Sequence, residues 1–208
     1  MARGIKMKKI KRHKVKEILQ QNEERLEVLV QGWIRTRRDS KGGFSFLEIN
    51  DGSCLNNLQV IADHNIDGFK SASRKLHTGC CAGVTGKLVQ SPGKGQNVEL
   101  QALSVEVYGA ADPEQYPLQK KNHSFEFLRE IAHLRPRTNT FGAVMRVRNR
   151  LAYSIHQFFQ DRGFIYLHTP IITTSDCEGA GEMFQVTTLD PGSPPIMDSK
   201  VDYTKDFF

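Results

Sequence analysis

The sequence predicts a small closed β-barrel followed by a segment built on a long helix, and two observations carry that expectation. Five runs of alternating apolar and polar residues, with one short helical stretch between the third and fourth, occupy the first half of the chain. Beyond residue 110 the alternation gives way to a proline-containing polar stretch, and then to apolar residues at three- and four-residue spacing. The two regimes place a domain boundary between them.

In the first run Val28, Val30, Gly32 and Ile34 alternate with Leu29, Gln31, Trp33 and Arg35, which is the period of a strand. Asp39-Ser40-Lys41-Gly42-Gly43 is a turn cluster, since glycine supplies positive φ and Asp or Ser bonds the local backbone. In the second run Phe44, Phe46, Glu48 and Asn50 share one face, and Ser45, Leu47 and Ile49 the other. Asp51-Gly52 is a short-hairpin signal, and Leu58 to Ala62 reads as a third strand with Gln59 outward. Ile66 to Leu76 reads as a short helix, and Cys81 to Val89 and Asn97 to Tyr108 as two further strands. Five strands with one helix between the third and fourth is the order of an OB-fold, a Greek-key barrel whose face binds oligonucleotides. Arg35, Arg37 and Arg38 beside Phe44 and Phe46 fit that use, because rings stack on unpaired bases and cations neutralise phosphates.

A net charge of +6 over 208 residues and a pI near 9.2 favour a polyanionic partner. No apolar run reaches membrane-spanning length and no secretory leader is evident, so a soluble, cytoplasmic protein with no membrane partner is expected. Cys54, Cys80, Cys81 and Cys177 lack metal-ligand spacing and read as ordinary reduced thiols, with no metal site. Ser91-Pro92-Gly93-Lys94-Gly95 leads into a strand and lacks the Gly-Lys-Ser/Thr ending of a phosphate-binding loop.

The chain divides into a basic arm with a short amphipathic helix over 1–25, an OB-fold over 26–109, a polar hinge over 110–122, and a second domain over 123–208. In the last, 125–134 reads as a short helix stopped by Arg135-Pro136-Arg137. Thr140 would cap a longer helix with Phe141, Val144, Val147, Leu151, Ile155, Phe158 and Phe159 as its apolar stripe. Gly163 closes that helix, and 165–174 reads as a strand interrupted by Pro170.

The run Asp161-Arg-Gly-Phe-Ile-Tyr-Leu-His-Thr-Pro-Ile-Ile resembles the first signature motif of class II aminoacyl-tRNA synthetases. The region before it resembles the anticodon-binding OB domain of the subclass charging Asp, Asn and Lys. Within that subclass, QGWIRTRRDSKGGFSFLEINDGS, HLRPRTNTFGAVMRVRN and TTSDCEGAGEMFQVTTLD look like the bacterial asparaginyl enzymes. The resemblance implies an OB-fold followed by the start of an α+β class II catalytic domain.

It also implies roles. Phe46 would stack on an anticodon base, Gln59 would read the central uridine, Arg38 would contact the anticodon loop, and Glu99 is a candidate for the first anticodon base. Gly163, Phe164, Leu167 and Pro170 would belong to the first motif, which forms the interface of a homodimer. Ser175, Glu178, Gly179 and Ala180 match the loop that closes over the amino acid, with Glu178 pairing the α-ammonium of asparagine. The expected activity is that of an asparagine–tRNA ligase using ATP and Mg2+, with tRNA as macromolecular partner. The second and third motifs, which carry the ATP and metal machinery, are missing from the sequence. A fragment inactive in adenylation by itself, with no catalytic residue of its own, is therefore expected. The aspartyl enzyme and a stand-alone OB-fold nucleic-acid binder remain open as alternatives.

Overall fold

The computed structural model describes residues 10–21, 25–93, 95–173, 184 and 186–205. They fall into two compact units, Met1–Ala152 and Tyr153–Phe208. The first is built on five strands, β1 (Arg25–Asp39), β2 (Phe44–Asn50), β3 (Leu58–Asp63), β4 (Cys81–Gln90) and β5 (Val98–Gly109). They close in the order β1-β2-β3-β5-β4. β3 and β5 run parallel, while every other pair is antiparallel. The barrel is the one expected from the alternating runs.

Alternation places the core. Val28, Val30 and Ile34 of β1, Leu47 and Ile49 of β2, Leu58, Val60 and Ala62 of β3, and Val84, Leu88 and Leu100 of β4 and β5 all point inward and are buried. Short helix α1 (Val15–Leu19) adds Val15 and Ile18 to that core, and α2 (Phe69–Ala72) adds Phe69 and Ala72. β1 is long enough to pair with both β2 and β4, and its register slips between Ile34 and Thr36 as it passes from one partner to the other. Bulges of this kind bend a strand around a small barrel. Gly32 lies at a close approach, because a Cβ there would stand 2.6 Å from the carbonyl oxygen of Asn50.

Asp51-Gly52 does not form a two-residue hairpin; β2 and β3 are joined by residues 51–57. The Asn50 side chain organises this longer loop, its Nδ2 donating to the carbonyls of Cys54 and Asn56 and to Asn57 Oδ1 at 3.0–3.3 Å. Asp51 anchors α1 instead, accepting from the Val15 N–H at 3.1 Å. Burial opposes its charge, but bonds from the hydroxyl and N–H of Ser53 and from Val15 outweigh it and hold the carboxyl below its ordinary pKa.

After the barrel, α3 (Phe125–Glu130) is shorter than expected and starts at Ser124, whose Oγ accepts from the Phe127 N–H. Arg135–Arg137 is a separate 3-10 turn. The cap of α4 (Asn139–Gln160) is Thr138, not Thr140, with Oγ1 accepting from the Phe141 N–H at 3.4 Å. Pro136 and Thr138 together start the helix earlier than its apolar stripe announces.

In the second unit the helix ends as expected at Gly163, with φ +83, and the Phe164 N–H returns to the Phe159 carbonyl. The strand expected over 165–174 is absent among the described residues 165–173. Alternation marks which residues suit a strand, but a strand exists only where a neighbour pairs with it, and none among the described residues does. Ile165, Leu167 and Ile171 are exposed accordingly. β6 (Ile196–Met197) and β7 (Lys200–Val201) form a small separate hairpin.

Candidate nucleic-acid interface

Register brings the outward side chains of the barrel into rows. Arg38 of β1 pairs with Phe46 of β2, which pairs with Ile61 of β3; one step along, Thr36, Glu48 and Gln59 line up. Because β2 alternates strictly, with Ser45, Leu47 and Ile49 inside, Phe44, Phe46, Glu48 and Asn50 are only half-buried. The guanidinium carbon of Arg38 lies 4.8 Å from the Phe46 centroid. Phe44 meets Phe46 edge to face at 5.2 Å. A flat aromatic with a cation beside it can stack a base and neutralise the adjoining phosphate.

The three arginines expected beside Phe44 and Phe46 do not all stand there. Arg37 pairs with Asp39 through two nitrogens at 2.8 and 3.0 Å and donates to the Ser73 carbonyl. Hydrogen bonds from Arg37 and from the Ser45 hydroxyl hold the Asp39 carboxyl below its ordinary pKa. Arg35 donates to the Arg137 carbonyl at 2.6 Å. Consecutive side chains of a strand leave on opposite faces, so only Arg38 stands over Phe46.

Gln59 and Glu99, assigned separately in the sequence, are neighbours: Gln59 Nε2 donates to Glu99 Oε2 at 3.1 Å. The same oxygen accepts from Ser91 Oγ at 3.0 Å and from Gln96 Nε2 at 3.4 Å. Glu99 is only 3% exposed, which sets it apart from the solvated carboxylates typical of a strand's outer face. β5 runs parallel to β3, pairing Val60 with Leu100, and this brings Glu99 beside Gln59. Strand order is a tertiary fact that neither run reveals alone.

A second cationic feature lies in the same unit. Trp33, Arg35, Asn50, Leu55, Arg137 and Arg146 line a cleft of about 430 Å³, and no carboxylate is among the described residues that line it. The Arg137 guanidinium stacks 4.4 Å from the Trp33 ring and donates to Tyr116 Oη. Arg146 joins the carbonyls of Gly52 and Gly142. The sequence carries no signal that joins Arg137 and Arg146 to Trp33, because both arginines come from the segment after the barrel and Trp33 from β1.

In the second unit Phe164 packs edge to face on Phe159 at 5.4 Å, and Gly163, Phe164, Leu167 and Pro170 are all exposed. Ser175, Glu178, Gly179 and Ala180 lie outside the described residues. Among the described residues no three His, Cys, Asp or Glu side chains gather as a metal site. No helix among them is long and apolar enough to cross a membrane.

Comparison with known families agrees with this architecture. Residues 28–108 match the OB-fold nucleic acid binding domain of tRNA anticodon recognition, and residues 124–193 match the class II tRNA synthetases for D, K and N. By these two matches the chain is similar to the class II aminoacyl-tRNA synthetases of that group. Within the group it is similar to asparagine–tRNA ligases, being 63% identical to that of Syntrophobacter fumaroxidans over 87% of this chain and 39% of the relative. It is 58% identical to that of a Picosynechococcus species, over 94% of this chain and 42% of the relative. The chain spans about two fifths of the length of these curated relatives. The fold also matches asparaginyl-tRNA synthetase of Pyrococcus horikoshii complexed with asparaginyl-adenylate, with a TM-score of 0.72 and 24% identity over 85% of this chain and 40% of that one.

Proposed function

We propose that this chain is the anticodon-recognising part of an asparagine–tRNA ligase, acting in the cytoplasm. The observation that carries the reading is one barrel face on which Arg38, Phe46, Gln59 and Glu99 stand together, in a chain 63% identical to such a ligase. Phe46 stacks an anticodon base, Arg38 meets the loop backbone, Gln59 reads the central uridine, and Glu99 lies beside the first base. Uracil presents a donor between two acceptors, and an amide answers with one acceptor and one donor.

Asparagine and a second copy of the chain are the further partners. Glu178, with Ser175, Gly179 and Ala180, closes over the amino acid, and Gly163, Phe164, Leu167 and Pro170 contribute to the homodimer interface. Class II synthetases use ATP and Mg2+. The described residues bring together no cluster fitted to hold that cation, and no adenylation step is assigned to them. The similarity of the relatives favours asparagine over aspartate as the amino acid.

The test is binding of the chain to an anticodon stem-loop RNA with central uridine and to the same loop carrying each other base, at fixed salt. Preference for uridine is expected in the parent, with binding weakened in Phe46→Ala and the preference lost in Gln59→Ala. If both variants bind as the parent does, the assignment is wrong.

A further inference from the structure

We infer that Glu99 is a positioning residue for base discrimination: its buried carboxylate fixes which way round the Gln59 amide faces the central anticodon base. The inference rests on the reading of Gln59 as the base reader and deepens it.

A primary amide is nearly symmetric in shape, and turning it by half a rotation exchanges its oxygen and nitrogen. The two orientations suit different pyrimidines. Uracil offers N3–H as donor flanked by acceptor oxygens; cytosine offers N3 as acceptor beside an amino donor. An amide that turns freely satisfies both bases and discriminates neither. Fixed in one orientation, it satisfies one and leaves unpaired or opposed groups against the other.

The surroundings of Gln59 supply that fixation. Glu99 Oε2 accepts from Gln59 Nε2 at 3.1 Å, and a carboxylate offers only acceptors. In the turned amide, Oε1 would face that same carboxylate, two acceptors without a proton between them. Glu99 cannot swing aside, for Ser91 Oγ and Gln96 Nε2 hold the same oxygen and the residue is 3% exposed. All three of these donors are neutral. Among the described residues no cation pairs with Glu99, and a carboxylate this buried is costly unless its hydrogen bonds are made, so its place next to Gln59 asks for a use.

With one Nε2 hydrogen committed to Glu99, Gln59 retains Oε1 and its second Nε2 hydrogen, in fixed order. Among the described residues nothing donates to Oε1. That order accepts from N3–H of uracil and donates to its neighbouring oxygen. Against cytosine, the same order sets acceptor against acceptor and donor against donor.

The experiment measures the affinity of the 208-residue chain for two anticodon stem-loop RNAs that differ only in central uridine or cytidine. The parent, Glu99→Gln and Gln59→Ala are compared at one salt concentration. Glutamine at 99 keeps the shape but presents either an acceptor or a donor, so the Gln59 amide is free to turn. Expected for Glu99→Gln is a preference for the uridine loop over the cytidine loop reduced about tenfold or more, read as the ratio of the two affinities so that any loss common to both loops cancels. An unchanged preference in Glu99→Gln, together with its loss in Gln59→Ala, overturns the role of Glu99 and leaves Gln59 as the reader. An equal loss of affinity for both loops in Glu99→Gln, with the ratio preserved, also overturns it and marks Glu99 as structural. If Gln59→Ala keeps the parent's preference, the reading of Gln59 itself fails and the inference falls with it.

Discussion

Arg38 lies over the Phe46 ring at 4.8 Å, whereas Arg37, its neighbour in sequence, turns the other way and pairs with Asp39. Arg37 thus holds its own chain, while Arg38 stands over an outward ring, the place that the proposed function gives to the anticodon loop. Phe46→Ala should weaken binding of the anticodon stem-loop by about 1–3 kcal/mol. Arg38→Ala should weaken it too, and should lower the slope of log affinity against log salt by about one, as loss of one phosphate contact does. Arg37→Ala should leave the slope unchanged and lower thermal stability, since its partners Asp39 and the Ser73 carbonyl belong to the fold. Titrations at several salt concentrations, with a melting curve for each variant, separate the two arginines.

Asp51 makes the packing of α1 dependent on pH. Its carboxylate receives the Val15 N–H and titrates below its ordinary value. A carboxyl depressed in the folded state contributes stability that is fully present above its unfolded pKa, near 4. That contribution is lost as pH falls through the lower folded value. Stability of the parent should decline below about pH 4, and Asp51→Asn should flatten that decline while lowering stability at pH 7. Denaturant melts between about pH 2.5 and 7 bracket the carboxylate range and read the difference directly. Full parental acid sensitivity in the Asp51→Asn variant would assign the decline to other groups.

How much of this was legible in the sequence depends on the distance over which each signal acts. Alternation in β1 to β5 fixed which side chains face the core, because it is a property of one strand; Phe46 outward and Leu47 inward follow from it alone. The Asp51-Gly52 signal misled because Asn50 bonds three groups of its own loop, and side-chain chemistry of that kind outweighs a two-residue turn preference. Neither the Gln59–Glu99 bond nor the Arg137–Trp33 stack could be read from sequence, since each joins residues brought together only by strand order or chain return. The strand expected over 165–174 is missing over 165–173 for the converse reason: its local pattern is present, but no strand among the described residues pairs with it.

Cys80 offers a chemical probe of barrel integrity. Burial pushes its thiol up to about 11, so at pH 8 it carries almost no thiolate, the species that reacts. Cys54 and Cys81 are partly exposed. Peptide-resolved mass spectrometry after alkylation at pH 8 should show Cys54 and Cys81 modified well before Cys80, and Cys80 modified only when denaturant opens the barrel. Early modification of Cys80 would mean that α2 and its flanking turn open on their own.

Gly32 tests the closure of the barrel. A Cβ at this position would stand 2.6 Å from the Asn50 carbonyl oxygen and 2.8 Å from its carbon, and both belong to backbone that cannot rotate away. β1 passes here from one partner to the other, with Gly32 paired to Ala82 on one side and Trp33 paired to Asn50 on the other. Gly32→Ala should therefore push β1 and the end of β2 apart. Overpacking of this kind costs about 1–3 kcal/mol. Because Asn50 also organises the loop that carries Asp51, the strain should reach α1, and amide exchange should quicken at Val15 as well as along β2. Exchange that quickens along β2 alone would show that the loop absorbs the displacement before it reaches Asp51.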